Sequence, residues 1–298
     1  MAASHRGCGA RPPRVASGLN GHETDVRAAR KPVPRIWPEA VQAAIMRPSI
    51  LAGRTVTAHL RRALVTGGSG DIGGAIARAL AADGCEVLVH AHARSERAAA
   101  VAAAIEAAGG RASVIAFDLT DADATRAALQ RQLEAGPIQV LVHNAGVHDD
   151  APLAGMREEQ WRRVIDVTLH GFFHVTQPLL LPMARGRWGR IVSVSSIAAV
   201  LGNRGQVNYA AAKSALHGAS KSLAREMASR GITVNVVAPG VIAGRMSAAA
   251  FDDARIKAMV PAGRAGTPDE VAALVRFLCA DAAAYVNGQV IGVNGGMG

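Results

Sequence analysis

The sequence has few cysteines, and none lies in a pattern that binds metal or forms a disulfide framework. Its 298 residues include only Cys8, Cys85 and Cys279, which are far apart and form no C-x-x-C or Cys/His pair. No apolar run reaches 18 residues, which argues against a membrane span. We therefore expect a cytoplasmic protein with reduced thiols, no bound metal and no membrane partner.

Positive charge is abundant but unevenly distributed. The chain has a formal net charge of +10, and residues 1–62 carry 11 Lys and Arg against 3 acidic residues. The remaining 236 residues are nearly balanced, with 22 basic against 20 acidic side chains. A nucleic-acid-binding surface would need its charge on the folded body. No nucleic-acid partner is therefore expected.

Residues 1–58 show no sustained hydrophobic period and no apolar signal-peptide core. This composition predicts a basic, disordered extension before a folded domain over residues 59–298. One interpretation is an organelle transit peptide, since the segment is rich in Arg and poor in acids. The favoured interpretation is that translation starts downstream, for example at Met46, because 29 Arg against 4 Lys suggests GC-rich coding DNA.

From residue 62 onward, apolar runs of strand length alternate with Ala-rich helical stretches. Such alternation is typical of βαβ units, and unbroken β-branched runs are typical of strands buried on both faces. The pattern predicts one doubly wound Rossmann domain with a seven-stranded parallel sheet. The strand candidates are RALVTG, EVLVHA, ASVIAFD, IQVLVHNAG, GRIVSVSS, ITVNVVAP and QVIGVNGG.

The stretch TGGSGDIG, residues 66–73, lies between the first strand candidate and a helical pattern. A glycine-rich turn that opens a helix presents backbone N–H groups and a positive dipole end to a pyrophosphate. Asp71 stands where such a turn usually has glycine, so we expect its carboxylate to cap the helix and turn away from the phosphate. The cofactor-binding candidates in the turn are Gly67, Ser69, Gly70, Asp71, Ile72 and Gly73.

The second strand candidate ends at Ala91 without an acidic residue after it. An acid at this place binds the ribose 2′-hydroxyl of NAD. Here the stretch HAHARSER offers groups that can donate to a 2′-phosphate, with His92 and Arg94 as candidates and Ser95 and Arg97 beside them. The sequence therefore predicts NADP(H).

Tyr209 and Lys213 are four residues apart, which places both on one helix face, and Ser196 precedes Tyr209 by 13 residues. Together with TGGSGDIG, HNAG and APG in this order, YAAAK with its upstream serine resembles the short-chain dehydrogenase/reductase family over residues 62–298. Lys213 would favour the Tyr209 phenolate and, as the resemblance implies, hold the nicotinamide ribose. Tyr209 would exchange a proton with the substrate oxygen while Ser196 holds that oxygen.

The resemblance implies further cofactor contacts, one position at a time. FDLT resembles the adenine contact, HNAG resembles the turn along the cofactor, and the segment after APG resembles the contact with the nicotinamide carboxamide, followed by a mobile lid over about 243–266. Asn144 would mainly fix backbone geometry. The residues carried over are Asp118, Leu119, Asn144, Ala145, Gly146, Pro239, Gly240 and Ile242.

Three positions depart from the family pattern. Thr168 stands where the family usually has an asparagine that bends its helix and holds a water for proton relay, and its hydroxyl predicts a modified relay. Gly244 replaces a threonine that bonds the carboxamide in many relatives. Asp71 is the third departure.

The segments around Ser196 and Tyr209 look most like the 3-oxoacyl-[acyl-carrier-protein] reductase branch, which implies NADPH-dependent reduction of a carrier-bound 3-oxoacyl thioester. Arg187 and Arg230 are candidate contacts for an acidic carrier protein near the site entrance, or two ordinary solvated arginines. The family also implies a homotetramer. The alternatives are a reductase or dehydrogenase of a free ketone or secondary alcohol, and an NADP-binding subunit without turnover.

Overall fold

The computed structural model describes residues 60–93, 96–245 and 252–298. Within them lies one all-parallel sheet of seven strands in the order β3-β2-β1-β4-β5-β6-β7. Six strands fall within runs that the sequence predicts, and β3 begins one residue before its run, so the predicted fold class is confirmed. The strands are β1 Arg62–Val65, β2 Glu86–Ala91, β3 Arg111–Ala116, β4 Val140–His143, β5 Gly189–Val194, β6 Ile232–Pro239 and β7 Val290–Val293.

Helices connect the strands, as parallel pairing requires. A single π-helical turn, Asp166–His170, separates the fourth and fifth of them. Gly84 follows the first helix at φ +85°, the left-handed conformation expected of a glycine that ends a helix. The helices are α1 Asp71–Ala82, α2 Glu96–Ala107, α3 Ala122–Glu134, α4 Glu158–Ile165, α5 Gly171–Gly186, α6 Ala198–Leu201, α7 Val207–Met227, α8 Asp253–Met259 and α9 Pro268–Cys279.

The core lies on both faces of the sheet, which explains why the central strands are continuous apolar runs. On one face, Ile76 and Leu80 of α1 pack with Val275 of α9. On the other, Leu179 of α5 and Leu216 of α7 pack over the strands. Two layers of helix therefore fix the directions in which the strand ends present their loops.

On one side of β1 the sheet continues through β2 to β3, and on the other side β1 pairs with β4. A crevice forms where the strand order reverses, outside the carboxyl ends of the strands, and ligands of doubly wound proteins bind there. The phosphate turn follows β1, HNAG follows β4, and Ser196 follows β5. The topology therefore brings the predicted cofactor and catalytic residues to one edge of the sheet.

The predicted domain boundary after residue 58 and the predicted extension lie outside the described residues and stay predictions. Among the described residues, no helix combines the length and the apolar character needed to cross a bilayer. Cys85 and Cys279 are buried and free, and burial raises the pKa of both thiols.

Candidate active site

The turn between β1 and α1 has the form of a phosphate cradle. Gly67 has φ +62°, and a Cβ on Gly73 would lie 2.3 Å from the Gly67 carbonyl oxygen. Gly70 is the N-cap of α1 and has no side chain that could cap the helix. Because the first N–H groups of a helix have no partner within it, they can donate to an anion at this end. The glycine candidates, with Ser69 and Ile72, thus surround a site that fits a pyrophosphate.

Asp71 does not cap α1, so the predicted cap is wrong. It is the first helical residue, and its carboxylate accepts hydrogen bonds from the backbone N–H and the guanidinium of Arg245, at 3.1 and 2.9 Å. Arg97 lies 3.8 Å from the same carboxylate. The reason for the difference is a strong partner 174 residues away, which competes for the carboxylate against the weaker donors of the helix end.

The residues after β2 and β3 meet beside the phosphate turn. His92 lies 3.6 Å from Asp118, whose carboxylate accepts hydrogen bonds from the N–H and hydroxyl of Thr120. Burial raises the pKa of Asp118, but these hydrogen bonds and the nearby imidazoles outweigh it and leave the pKa below its usual value. The neighbouring Leu119 is buried. Asp118 is therefore a fixed carboxylate on the rim where the adenosine half is expected.

Of the basic side chains predicted to meet a 2′-phosphate, Arg97 is the one that the structure brings to the turn. Its guanidinium donates to the Ser69 carbonyl oxygen at 2.5 Å. His92 is solvent-exposed, and Arg94 lies outside the described residues. A cation beside Ser69 gives the turn a positive rim.

The turn after β4 locks onto the phosphate turn. The Asn144 amide donates to the carbonyl oxygens of Thr66 and Gly67, at 3.0 and 3.2 Å. The backbone N–H groups of Asn144 and Ala145 both donate to the Thr66 hydroxyl at 3.0 Å. Asn144 thus holds backbone geometry, as the sequence predicts. A Cβ on Gly146 would lie 2.9 Å from the Lys213 ammonium nitrogen, so glycine leaves that group its space.

The catalytic candidates converge at the carboxyl end of β5. The Ser196 side chain lies beside the Tyr209 phenol, and the Lys213 Nζ lies 5.9 Å from the centre of the Tyr209 ring. Lys213 is buried and donates to the Val194 carbonyl oxygen at 2.8 Å. The Asn208 amide ties the start of α7 to the carbonyl oxygens of Asp149 and Gln160. The predicted trio of Ser196, Tyr209 and Lys213 is one cluster.

Burial sets the protonation of this cluster. It raises the pKa of Tyr209, although the Ser196 hydrogen bond partly opposes the rise. It lowers the pKa of Lys213 to about 8. At neutral pH the phenol therefore keeps its proton and the lysine carries charge. A protonated phenol beside a serine hydroxyl can donate its proton to a carbonyl oxygen.

Thr168 lies in the π-helical turn beside this cluster and is fully buried. Its hydroxyl has no hydrogen-bond partner among the described residues. The hydroxyl and the Lys213 Nζ both border Gly146, 3.6 and 2.9 Å from the place of its missing Cβ. An unpartnered buried hydroxyl that borders the same small space as an ammonium is a suitable place for a water.

Two supporting residues are not predicted from the sequence. His143 is fully buried and donates from Nε2 to the Thr168 carbonyl oxygen at 2.8 Å, and burial lowers its pKa to about 3. Ser195 donates to the Lys213 carbonyl oxygen and lies 2.8 Å from His217 Nε2. The signals were present as a histidine inside an apolar strand and a serine before the predicted one. Neither reveals its partner without the fold.

The residues after β6 close the site from the side of β7. Gly240 donates its N–H to the Val293 carbonyl oxygen, and a Cβ there would lie 2.8 Å from Asn294 Cα. Pro239 ends β6, and Ile242 forms a backbone bridge with Gly266. These residues lie at the site edge of the sheet. Residues 246–251 of the predicted lid lie outside the described residues.

Arg187 and Arg230 do not flank the entrance of their own chain's site, so their expected position is wrong, while their contact with a carrier protein stays a prediction. They precede β5 and β6, whereas Ser196 follows β5. Six strand residues separate the two edges of the sheet here, which is about 20 Å. The two arginines share one corner, because Arg187 donates to the Ser229 carbonyl oxygen. The cause is the parallel direction of the strands.

Replacing Gly73 by alanine should weaken cofactor binding strongly, because the new Cβ would force the Gly67 carbonyl out of the cradle. We expect at least a tenfold rise in the Kd for NADPH, measured by fluorescence titration. Gly218→Ala is the matched control, since no atom lies within 4 Å of its added Cβ. Tight NADPH binding by a folded Gly73→Ala variant would refute the cradle.

Comparison with known proteins agrees with this geometry. The family model described as Enoyl-(Acyl carrier protein) reductase matches residues 68–298. The chain is 45% identical over 238 residues to the 3-oxoacyl-[acyl-carrier-protein] reductase FabG of Escherichia coli (strain K12), covering 79% of this chain and 96% of that protein. It is 41% identical over 238 residues to Nodulation protein G of Azospirillum brasilense, covering 79% and 97%. The chain therefore belongs to the short-chain dehydrogenase/reductase family and is an oxidoreductase that acts on a CH–OH or C=O group.

Proposed function

We propose that the protein reduces a 3-oxoacyl thioester to the 3-hydroxyacyl form with NADPH, and that the acyl chain is carried on an acyl carrier protein. The observation that carries the proposal is the cluster of buried Lys213 with half-buried Ser196 and Tyr209 beside a glycine cradle. The names of several relatives, in Escherichia coli, Staphylococcus aureus and Synechocystis, describe this reaction on a carrier-bound substrate.

The proposed chemistry uses the protonation that burial imposes. Ser196 donates a hydrogen bond to the ketone oxygen, and Tyr209 transfers its proton to that oxygen as negative charge develops. NADPH, when bound in the cradle, would supply the hydride for the ketone carbon. The Lys213 ammonium stabilises the phenolate that Tyr209 leaves behind, since an opposite charge favours the charged form. The same residues in reverse order oxidise an alcohol.

The position of Thr168 fits a role in returning a proton to Tyr209 after each reduction. After transfer, Tyr209 needs a proton from solvent, and Lys213 is the charged group next to it. We assign the Thr168 hydroxyl the place of a water-holding group beside the ammonium, because it is buried, unpartnered among the described residues and adjacent to Gly146. His143 fixes the carbonyl of the same residue and therefore the rotation of its π-turn. A hydroxyl in place of an amide gives a modified relay.

The proposed preference for NADPH over NADH rests on the charges of the side chains around the phosphate cradle. No acidic residue directly follows β2, and an acid there would repel a 2′-phosphate. Arg97 instead places a guanidinium on Ser69 of the cradle. Asp118, at the end of the next strand, is already held by Thr120. The rim of the cradle therefore favours the phosphorylated cofactor.

The oligomer is proposed to be a homotetramer. Phe173 on α5 and Phe277 on α9 expose 62% and 46% of their surface, and Tyr285 before β7 is fully exposed. Large aromatic side chains on a helix face and near an edge strand are suited to two separate subunit contacts. We also propose that a carrier protein binds at the Arg187 and Arg230 corner and serves the site of a neighbouring chain; the corner is about 20 Å from Ser196 of its own chain.

Replacing Tyr209 by phenylalanine should remove the proton donor and keep the fold. We expect NADPH consumption with an acetoacetyl thioester to fall at least 10³-fold while NADPH still binds, as loss of a general acid predicts. The assay includes free ketones, secondary alcohols with NADP⁺, and a crotonyl thioester. Turnover confined to a free ketone or alcohol supports the first alternative, and turnover of only the crotonyl thioester points to C=C reduction. Tight NADPH binding without any turnover by the wild type supports a non-catalytic subunit.

Reduction should weaken at alkaline pH. The pKa of Lys213 is lowered to about 8, so its stabilising charge is present below pH 8 and is lost as the pH rises through 8. The pKa of Tyr209 is raised, so the phenol stays protonated over this range. We expect kcat/KM for NADPH, which reports groups of the free enzyme, to fall above about pH 8. Lys257→Ala changes an exposed lysine and serves as the control; its kcat/KM for NADPH should fall above about pH 8 as in the wild type. A flat profile to pH 9.5 would contradict the assignment.

Reversing the charge of the Arg187 and Arg230 corner should act on the carrier and not on the chemistry. For Arg187→Glu/Arg230→Glu we expect at least a fivefold rise in the KM for the carrier-bound substrate. The KM for a small acetoacetyl thioester should stay within twofold, because the corner is remote from Ser196 of the same chain. Arg126→Glu, an exposed site on α3, is the control. Equal effects on both substrates would exclude a carrier contact.

A further inference from the structure

Asp71, Gly244 and Arg245 form a cluster that the proposed reaction does not use. The Asp71 carboxylate accepts from the Arg245 backbone N–H at 3.1 Å and from its Nη2 at 2.9 Å, and its Nε is 3.4 Å away. A Cβ on Gly244 would lie 2.8 Å from Asp71 Oδ2. Any side chain at position 244 would therefore displace the carboxylate. The Asp71 carboxylate in the cradle thus occupies space that only a glycine at position 244 leaves open.

Asp71 also poses an electrostatic problem. It is the first residue of α1, at the helix end where the cradle presents its N–H groups. A lone carboxylate there would repel a dinucleotide phosphate, since nearby like charges oppose each other strongly where water is partly excluded. With Arg245 bound through two side-chain nitrogens, the pair is neutral. Arg97, 3.8 Å away and bonded to Ser69, adds further positive charge on the same side.

We propose that Arg245 is the counter-ion that makes Asp71 compatible with a phosphate in the cradle, so that the two residues act as one unit that sets the affinity for NADP(H). Arg245 is a positioning residue in this role. Its backbone contact with Asp71 also fastens the segment after β6 to the start of α1. Both ends of that contact border the cofactor crevice.

A purely structural ion pair would behave differently. Asp71 and Arg245 side chains are 37% and 56% exposed, and pairs this exposed contribute little to folding stability. Loss of the pair should therefore leave the unfolding transition almost unchanged. Its effect should appear in cofactor binding and should shrink at high salt, because salt screens the charge of an unpaired carboxylate.

The experiment is a double-mutant cycle on the full chain, with the Kd for NADPH measured by fluorescence at low salt and at 0.5 M salt. Arg245→Ala should raise the Kd at least tenfold at low salt and less at high salt. Asp71→Asn alone should change it by less than threefold, and Asp71→Asn/Arg245→Ala should return within threefold of wild type. Arg126→Ala, which breaks the Arg126–Asp123 pair on α3, is the matched control and should be neutral.

The inference rests on the proposed NADP(H) binding, and the two can fail separately. A wild-type chain that binds no NADPH refutes the cofactor assignment of the proposed function. A wild type that binds normally, with an Arg245→Ala Kd within twofold, refutes the counter-ion role alone. A double variant as weak as Arg245→Ala also refutes it, because Arg245 would then act directly on the cofactor. Unchanged urea unfolding of all variants excludes a folding cause.

Discussion

The join between the ends of β1 and β4 is the constraint on which the site depends. The Thr66 hydroxyl accepts two backbone N–H groups from the β4 turn, and the Asn144 amide returns two hydrogen bonds to the carbonyl oxygens of Thr66 and Gly67. These bonds cross the point where the strand order reverses. They hold the crevice at a fixed width, since each buried polar group would be costly to leave unpaired. The phosphate cradle is therefore tied directly to the ends of β1 and β4.

Two buried histidines extend this join in opposite directions. His90 accepts the Gly67 N–H and donates to the Phe117 carbonyl oxygen, which links the cradle to β3. His143 lies 3.4 Å from the Thr66 hydroxyl and donates to the Thr168 carbonyl oxygen, which links it to the π-turn. Burial lowers the pKa of His90 to about 4 and of His143 to about 3. Both rings therefore stay neutral and keep one donor and one acceptor at physiological pH.

The sequence predicts the fold well because the hydrophobic pattern determines the positions of most strands and helices. Each strand is an apolar run of its own, and each βα connection has helical character, so local pattern and topology agree. The same holds for Tyr209 and Lys213, whose spacing alone places them on one helix face. Predictions from the sequence fail where a side chain forms hydrogen bonds with a residue that is distant in the sequence. Asp71 was expected to cap its own helix, and its partner is 174 residues away.

The wrong position expected for Arg187 and Arg230 has a different physical origin. Both lie next to elements that carry catalytic residues, and closeness in sequence suggested closeness in space. A parallel strand, however, holds the residues before it and the residues after it apart by its full length. Six residues of β5 thus place Arg187 and Ser196 at opposite edges of the sheet.

Thr168 shows how local backbone geometry and chemistry become coupled. A π-turn shifts the hydrogen-bond register of a helix by one residue, and such turns are frequent at functional sites. Here the turn lies between α4 and α5, and the Nε2–H of His143 donates to the Thr168 carbonyl from outside the helix. With that carbonyl held, the short threonine side chain stays buried next to Gly146, where the Lys213 ammonium also lies. In the proposed relay, a water held by the Thr168 hydroxyl would link it to the ammonium. The neutral state of His143, which keeps the Thr168 carbonyl in place, is then what the relay depends on.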